Sequence, residues 1–182
     1  MDKSKKEKCI VIGKTGSGKS FLVRKLVEKG LKPCLKWTTR PVRKFEKPGI
    51  DYNFVSDFQF VQSINENKFL AYQKFQVTPE GKSPENWYYG ITQEEFDNSQ
   101  VLIMTPGEFK NITTEQRKNC FVVYLDIDRS VRESRLFKRE DKNDSIKRRL
   151  DADELDFQSF TDYDLKIRDH EFTADDVYDL MD

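Results

Sequence analysis

The sequence lacks the features that mark secreted, zinc-stabilised or membrane-spanning proteins. Its three cysteines, Cys9, Cys34 and Cys120, are odd in number and far apart, with no Cys-x-x-Cys pair, so neither a disulfide framework nor a zinc cluster is predicted. No apolar run reaches the length of about 18 residues that a membrane span needs, and the apolar run before Gly13 is too short for a secretory signal. We therefore expect a soluble, cytoplasmic chain with no membrane partner.

An excess of charge of either sign is also missing, because 32 lysines and arginines balance 32 acids. The charges are unevenly spread: residues 1–50 carry 15 basic and 4 acidic side chains, whereas residues 151–182 carry 2 basic and 12 acidic ones. A basic first third fits either nucleic acid or a site for several phosphates. The acidic last stretch argues against a long polyanion, so no nucleic-acid polymer is expected as a partner.

Disorder and a multi-domain organisation are disfavoured as well. At 182 residues the chain has the size of one domain, and 14 Phe, 7 Tyr and 2 Trp supply the large apolar surfaces that disordered chains lack. The single histidine, His170, has no serine or cysteine at a recognisable catalytic spacing, and we expect it on the surface.

Alternating strand and helix patterns predict an α/β fold. Short apolar runs predict strands at residues 8–12, 100–105, 120–127 and 163–169. After the first strand, Leu22 and Leu26 share one face of an amphipathic helix that Gly30 ends. Strands that alternate with helices predict a mostly parallel, doubly wound sheet.

Residues 37–91 interrupt this pattern with aromatic-rich and turn-rich sequence. They contain one helical piece that begins at Asp57, so we expect an inserted lobe with its own small sheet. Prolines and a glycine within residues 76–87 predict a loop there. The predicted organisation is a single domain whose core comprises residues 7–36 and 92–182, with residues 37–91 as the lobe.

The motif GKTGSGKS at residues 13–20, called the phosphate loop below, matches G-x-x-x-x-G-K-[ST] between a strand and a helix. Glycines in this pattern let backbone N–H groups wrap a phosphate at a helix N-terminus. Lys19 is predicted to reach the β- and γ-phosphates of ATP, and Ser20 to bind Mg²⁺. The predicted ATP-binding residues are Gly13, Lys14, Thr15, Gly16, Ser17, Gly18, Lys19, Ser20 and Phe21. The loop alone leaves the acceptor open, because GTPase switches, motor ATPases and small-molecule kinases all use it.

Two arginines in the lobe, Arg40 and Arg43, are three residues apart in a proline-containing segment with Glu46 and Tyr52 nearby. Guanidinium groups match phosphate oxygens bidentately, so this segment is a candidate clamp for a phosphate monoester. A solvated basic loop fits the same spacing equally well.

Taken together, these motifs resemble the guanylate kinase family. The segments that carry the likeness are GKTGSGKS, TTRPVRKFEKPGIDYNFVS, WYYGI, RLFKRED with IKRRL, and YDLKIRD, in family order from about residue 9 to about residue 170. The resemblance implies a P-loop core, an acceptor-binding lobe and a helical lid at about residues 135–149. It implies an ATP-dependent phosphotransferase that uses Mg²⁺ to convert GMP or dGMP to the diphosphate, as a monomer or homodimer.

The resemblance also implies roles for particular side chains. Arg40, Arg43, Tyr52 and Tyr89 would hold the phosphate of the acceptor, and Glu46 would support that cluster. We expect this cluster and the phosphate loop to face each other across a cleft.

The lid carries the remaining predicted catalytic residues. Arg135 and Arg139 are four apart and share a helical face, and Arg149 follows on the next helix. With Lys19, these cations would offset the charge of the phosphoryl group in transfer. Scattered charges on a solvated helix are the alternative interpretation.

The positions that would read guanine depart from the family pattern. A glutamate is replaced by Ala71, a hydroxyl by Ile91 and a serine by Lys36, and an acidic pair at a strand end by Ile103 and Thr105. An unpaired buried N–H group of guanine costs about 1–3 kcal/mol, so discrimination for guanine should weaken. Lys36 is still expected to contact the acceptor, as a donor to a carbonyl-rich base or another phosphate.

These departures leave other functions open. The acceptor is GMP or dGMP by default, with another nucleoside monophosphate or a sugar phosphate as alternatives. A protein-binding module without catalysis is disfavoured by the intact Gly18, Lys19 and Ser20. Asp126 and Asp128 are interpreted as a polar strand end that leads into the lid helix and not as metal ligands.

Overall fold

The computed structural model describes residues 6–44, 46–78, 83–138 and 145–181. Arg139, one of the predicted lid cations, lies outside the described residues.

The chain divides into two compact units. The core unit comprises Met1–Pro33 and Gln100–Asp182, and the lobe unit comprises Cys34–Ser99. The domain bounds drawn from the sequence stay a prediction.

Strands and helices alternate along the described chain. The strands are β1 (Lys8–Gly13), β2 (Trp37–Thr38), β3 (Asn53–Phe54), β4 (Phe69–Val77), β5 (Glu85–Thr92), β6 (Val101–Ile103), β7 (Cys120–Leu125) and β8 (Leu165–Ile167). The helices are α1 (Lys19–Glu28), α2 (Asp57–Asn65), α3 (Gln93–Asn98), α4 (Pro106–Phe109), α5 (Thr114–Lys118), α6 (Arg129–Lys138), α7 (Ile146–Phe157) and α8 (Asp175–Tyr178). Within the described ranges, no helix has the length and apolar character that crossing a membrane requires.

The core unit is built on a parallel sheet in the order β6-β1-β7-β8. Cys9 on β1 pairs with Val101 on β6 and with Phe121 on β7, and every residue of β7 is buried. Such burial on both faces explains why these strands read as continuous apolar runs in the sequence. The predicted α/β fold with a parallel sheet is confirmed.

Helix α1 follows β1 and covers the sheet with its apolar face. Leu22 and Leu26 are fully buried in the main core cluster, as the helical pattern predicts. The helix ends before Gly30, whose φ of 104° lies in the left-handed region that favours glycine.

The lobe unit has a separate sheet in the order β3-β2-β5-β4, in which β4 and β5 form an antiparallel pair. Helix α2 begins with a capping box between Ser56 and Gln59. Its Phe60 stacks on Phe69 with ring centroids 4.4 Å apart. Gly90 lies beneath these rings, where an added Cβ would come within 2.6 Å of Phe69.

The sequence-based prediction of a loop at residues 76–87 is wrong at both ends, where the structure has strand residues. Gln76 pairs with Asn86 and Val77 pairs with Glu85, so β4 continues to Val77 and β5 begins at Glu85. Trp87, in the predicted loop, is a buried strand residue because the sheet packs it away from solvent. Residues 79–82 lie outside the described part of the chain.

Candidate active site

The phosphate loop runs from the last residue of β1 into the first turn of α1. Gly16 and Gly18 have φ of 80° and 103°, a backbone conformation that side chains with a Cβ rarely adopt. A Cβ on Gly16 would lie 2.8 Å from the carbonyl oxygen of Arg132, and a Cβ on Gly13 would lie 2.7 Å from Ser17 Oγ. The glycines of the motif are therefore required by local geometry.

Lys19 folds back over the beginning of the loop. Its Nζ donates to the carbonyl oxygen of Gly13 at 2.6 Å and to that of Lys14 at 3.0 Å. These bonds hold the ammonium group at the loop, so its charge is available to an anion bound there.

Arg135 on α6 holds the other side of the loop. Its Nη1 donates to the carbonyl oxygens of Gly16 at 3.3 Å and Ser17 at 3.2 Å, and its Nη2 to that of His170 at 3.0 Å. In a trans peptide the C=O and the following N–H point in opposite directions. The N–H of Gly18 is thus turned away from Arg135, towards the side on which an anion could bind. The N–H of Ser17 instead donates to the carbonyl oxygen of Lys14 at 3.1 Å.

A pocket of about 500 Å³ lies beside the loop in the core unit. Gly16, Gly18 and Arg135 line one part of it, and the rings of Phe21 and Phe172 line another. These two rings pack edge to face with centroids 6.5 Å apart. The pocket therefore joins an apolar aromatic wall to the phosphate loop. His170 lies on its rim and is exposed, as the sequence predicts.

The other predicted residues of the core unit lie around the loop and the lid helices. Ser20 is exposed in the first turn of α1, and Arg149 is partly buried in the first half of α7.

Sequence reasoning missed a network of charged side chains around a buried arginine at the phosphate loop. Arg132 on α6 is 1% exposed and donates to the carbonyl oxygens of Ile127 at 2.9 Å and Thr15 at 3.4 Å. Its Nη2 donates to Glu154 Oε1 on α7 at 2.7 Å. The N–H of Thr15 donates to Asp153 Oδ2 at 2.6 Å.

Lys14 completes this network through an ion pair with Glu154. Burial alone would raise the pKa of the Glu154 carboxyl, but hydrogen bonds from Lys14 and Arg132 outweigh it and lower that pKa. Opposite charges on two consecutive helices were visible in the sequence. Their meeting at the loop was not, because Thr15 and Asp153 are 138 positions apart.

The acids at the end of β7 have structural partners. Asp126 accepts from the hydroxyl of Tyr124 at 3.1 Å and pairs with Lys166 at 2.9 Å. Burial would raise the pKa of Asp126, but the bond from Lys166 outweighs it and lowers that pKa. Asp128 accepts from the N–H and Oγ of Ser130 at the start of α6. Among the described residues, no group of three or more acids, histidines or cysteines is arranged for a metal ion.

In the lobe unit, Arg40 is the centre of a polar cluster within an aromatic surround. It is 3% exposed, and its Nη2 donates to Glu46 Oε1 at 2.7 Å. The guanidinium carbon lies 5.5 Å from the ring centre of Tyr52 and 5.7 Å from that of Phe54. Within the described ranges, the buried Nε of Arg40 has no hydrogen-bond partner. A buried donor of this kind is costly unless a ligand or water accepts from it.

Glu46 organises this cluster. Its second oxygen accepts from the backbone N–H of Arg43 at 2.9 Å, so one carboxylate fixes both predicted clamp arginines. Burial would raise the pKa of Glu46, but the bonds from Arg40 and Arg43 outweigh it and lower that pKa. Arg43 itself is exposed.

Two tyrosines flank the buried arginine. The rings of Tyr52 and Tyr89 pack edge to face with centroids 6.2 Å apart. Burial raises the pKa of Tyr89, although the positive charge of Arg40 acts in the opposite direction. The raised pKa keeps the hydroxyl of Tyr89 protonated. The structure thus brings Arg40, Glu46, Tyr52 and Tyr89 together in the lobe unit. Their role as one acceptor site stays a prediction.

Two of the predicted base-reading positions, Ala71 and Ile91, lie on the hairpin of β4 and β5. Ala71 and Ile91 are directly paired across β4 and β5, and Gln73 pairs with Tyr89. Because strand side chains alternate, all four residues share one face of the hairpin. Ala71 is 3% exposed and Ile91 is fully buried, so both side chains are apolar and packed inside the lobe unit. Lys36 is partly buried and precedes β2.

A parallel sheet with a glycine-rich loop between β1 and α1 defines the core unit as a P-loop α/β fold. The structure is similar to the crystal structure of a guanylate kinase from Anaplasma phagocytophilum, with a TM-score of 0.67 and 19% identity, over 98% of this chain and 86% of that one. This likeness supports the fold.

Sequence comparison identifies the family. The guanylate kinase family model matches residues 5–181, so the chain belongs to the guanylate kinase family. It is 26% identical over 173 residues to the guanylate kinase of Legionella pneumophila strain Lens, covering 90% of this chain and 78% of the relative. It is 27% identical over 167 residues to that of Helicobacter hepaticus, covering 91% and 83%. The predicted enzyme class, a phosphotransferase of guanylate kinase type, is confirmed by this membership.

Proposed function

We propose that the chain transfers the γ-phosphate of ATP to a nucleoside monophosphate, with GMP or dGMP as the default acceptor. The observation that carries this proposal is the cluster around Arg40 in the lobe unit, where the buried Nε has no partner among the described residues. The same chain also has a phosphate loop that holds Lys19 in place. One anion site alone would fit a nucleotide hydrolase or a switch. Two anion sites fit a donor and an acceptor.

ATP would bind with its phosphates on the phosphate loop and its base in the pocket lined by Phe21 and Phe172. The two parts of ATP would meet different surfaces. Lys19 and the loop amides supply positive groups for the phosphates, and the two rings supply an apolar wall for the base. The base would gain its binding energy from burial against these rings.

Mg²⁺ would bind with ATP through the hydroxyl of Ser20. Mg²⁺ keeps several waters and commonly uses few protein ligands besides nucleotide phosphates, so one exposed hydroxyl in the first turn of α1 fits this donor set. When bound, Mg²⁺ would offset part of the negative charge of the ATP phosphates. Asp126 is already paired with Lys166 and is not needed for this role.

The acceptor's phosphate would bind at Arg40, Arg43, Tyr52 and Tyr89. Arg40 presents its buried Nε, and Glu46 keeps Arg40 and Arg43 in place through two hydrogen bonds. Protonated tyrosine hydroxyls can donate to phosphate oxygens. Lys36 would contact the acceptor beyond the phosphate.

The chemical step would be a direct in-line transfer without a covalent intermediate. Positioning and neutralisation of charge supply most of the rate enhancement in such reactions. Lys19, Arg135, Arg139 and Arg149 are the cations proposed to neutralise the transferring group. We propose that the protein acts in the cytoplasm as a monomer or homodimer.

The acceptor's base is proposed separately, because the predicted base-reading positions depart from the family pattern. Ala71 and Ile91 are buried apolar side chains on the face of the hairpin that carries Tyr89, and neither can accept a hydrogen bond from guanine. This observation favours relaxed selection, so another nucleoside monophosphate or a sugar phosphate is the second candidate acceptor.

A coupled assay of ADP formation across a panel of acceptors tests the proposal. The panel comprises GMP, dGMP, AMP, CMP, UMP, dTMP and sugar phosphates, with an acceptor-free control for ATP hydrolysis. Turnover that depends on one or more nucleoside monophosphates supports the proposal. Tight binding of Mg²⁺-ATP without turnover on any acceptor would instead support a binding module.

A further inference from the structure

Both backbone groups of one phosphate-loop residue are held by charged side chains from outside the loop. The N–H of Thr15 donates to Asp153 on α7, and its C=O accepts from Arg132 on α6. The adjacent residue, Lys14, pairs with Glu154, which also accepts from Arg132. This set, called the loop brace below, consists of Lys14, Arg132, Asp153 and Glu154.

The loop brace has two positive and two negative members, so its formal charge is zero. Its members therefore cancel one another in net charge, so the set adds little long-range field at the loop. Its structural effect is on the loop backbone, because Arg132 donates to the carbonyl oxygen of Thr15 and so fixes the direction of the peptide between Thr15 and Gly16. Since the two groups of a trans peptide point in opposite directions, this bond turns the N–H of Gly16 away from α6.

Arg132 is too deeply buried for a simple surface ion pair. Its guanidinium is satisfied by two backbone carbonyls and by Glu154 at 2.7 Å, and Asp153 lies 3.7 Å away. A buried charge is tolerated when its donors are satisfied in this way, and an apolar residue packs in such a place without that requirement. A residue that served only to fill this space could be apolar. Arg132 instead directs a hydrogen-bond donor to the carbonyl oxygen of Thr15 in the loop.

We propose that Arg132 is a positioning residue: with Asp153 and Glu154 it holds the phosphate loop in its nucleotide-binding shape and fixes α7, which carries Arg149, against that loop. The inference rests on the proposed function, because it assigns the loop to ATP. Arg132 acts through the loop backbone and through Glu154, and it touches no substrate.

The same two helices provide a matched control. Arg129 on α6 pairs with Asp151 on α7 at 2.6 Å, but both side chains are exposed. This pair links the helices without a described hydrogen bond to the phosphate loop. If the link between α6 and α7 alone mattered, Arg129 and Arg132 would be equivalent.

Binding of Mg²⁺-ADP measured by calorimetry on the full chain tests the inference. Arg132→Met should weaken ADP binding and raise the KM for ATP by about tenfold or more, with the acceptor KM within about twofold of wild type. Arg129→Gln should leave both within about twofold. Arg132→Lys should recover only part of the loss, because one ammonium cannot copy the planar fork of a guanidinium.

Glu154→Gln keeps the test decisive if Arg132→Met does not fold. It leaves the volume of the side chain almost unchanged and should weaken ADP binding in the same sense. The Arg132→Met and Glu154→Gln effects on ADP affinity should be less than additive in the double variant, because both act through one network.

The outcomes separate the two claims. ADP affinity unchanged in folded Arg132→Met or in Glu154→Gln, or an acceptor KM that rises as much as the ATP KM, would overturn the positioning role and leave the proposed function standing. A wild-type protein that binds no Mg²⁺-ADP would overturn the proposed function and this inference with it.

Discussion

Lys19 Nζ lies 2.6 Å from the carbonyl oxygen of Gly13, six residues earlier at the end of β1. The ammonium group is therefore held at the mouth of the loop by backbone carbonyls that belong to the loop itself. A bound phosphate would compete with these neutral acceptors and would form the stronger, charge-assisted bond.

The first prediction concerns Lys19. Lys19→Ala should lower kcat by about 10³-fold, because a cation at the transferring phosphate is lost. The measurement is steady-state kinetics with a saturating acceptor. Lys25→Ala, an exposed lysine on the same helix that pairs with Glu28, is the matched control and should keep wild-type kcat. Similar kcat values for the two variants would remove Lys19 from the site.

The second prediction concerns the acceptor clamp. Arg43→Ala should raise the acceptor KM by about 10- to 100-fold and leave the KM for ATP nearly unchanged, because one charge-assisted contact to the acceptor's phosphate is lost. Lys47→Ala, an exposed cation in the same segment, should change neither constant. A change in the ATP KM equal to that in the acceptor KM would contradict the assignment of Arg43.

The third prediction concerns Ile91. Ile91→Thr should increase the preference for GMP over AMP, measured as the ratio of kcat/KM values, by about tenfold, because a hydroxyl can then accept from guanine. Ile91→Val, which has a similar branched shape but no hydroxyl, should leave the ratio unchanged. An equal ratio in both variants would mean that position 91 does not meet the base.

The fourth prediction concerns acid. The pKa of Glu46 in the folded protein is lowered from its ordinary value of 4.5, so its stabilising effect is complete above that value and is lost as the pH falls through the folded-state pKa. The urea midpoint of the wild type should therefore fall between pH 5 and pH 3 more steeply than that of Glu46→Gln. Parallel midpoint curves for the two proteins would show that the pair with Arg40 contributes nothing to this dependence.

How much of the site is visible in the sequence depends on the separation of the interacting residues. The phosphate loop was predicted because its conformation depends on glycines and a lysine within a few positions, and Lys19 and Gly13 are six apart. The Arg40–Glu46 pair is also local and was expected. The loop brace was missed because Thr15 meets Asp153 from a distance of 138 positions.

The fold shows the same limit. Buried parallel strands such as β7 are continuous apolar runs, so they could be found from composition alone. The end of β4 and the start of β5 were missed, because turn-forming residues nearby predict a loop. Pairing of Val77 with Glu85 and burial of Trp87 overrule that local preference.

The central claim is that the γ-phosphoryl group passes directly from ATP to a nucleoside monophosphate. Phosphorus NMR of the reaction mixture tests this claim most directly. With Mg²⁺-ATP and the best acceptor of the panel, the account predicts that ADP and the acceptor's diphosphate form in equal amounts with no inorganic phosphate. Inorganic phosphate that accumulates in step with ADP, with no diphosphate of the acceptor, would contradict it.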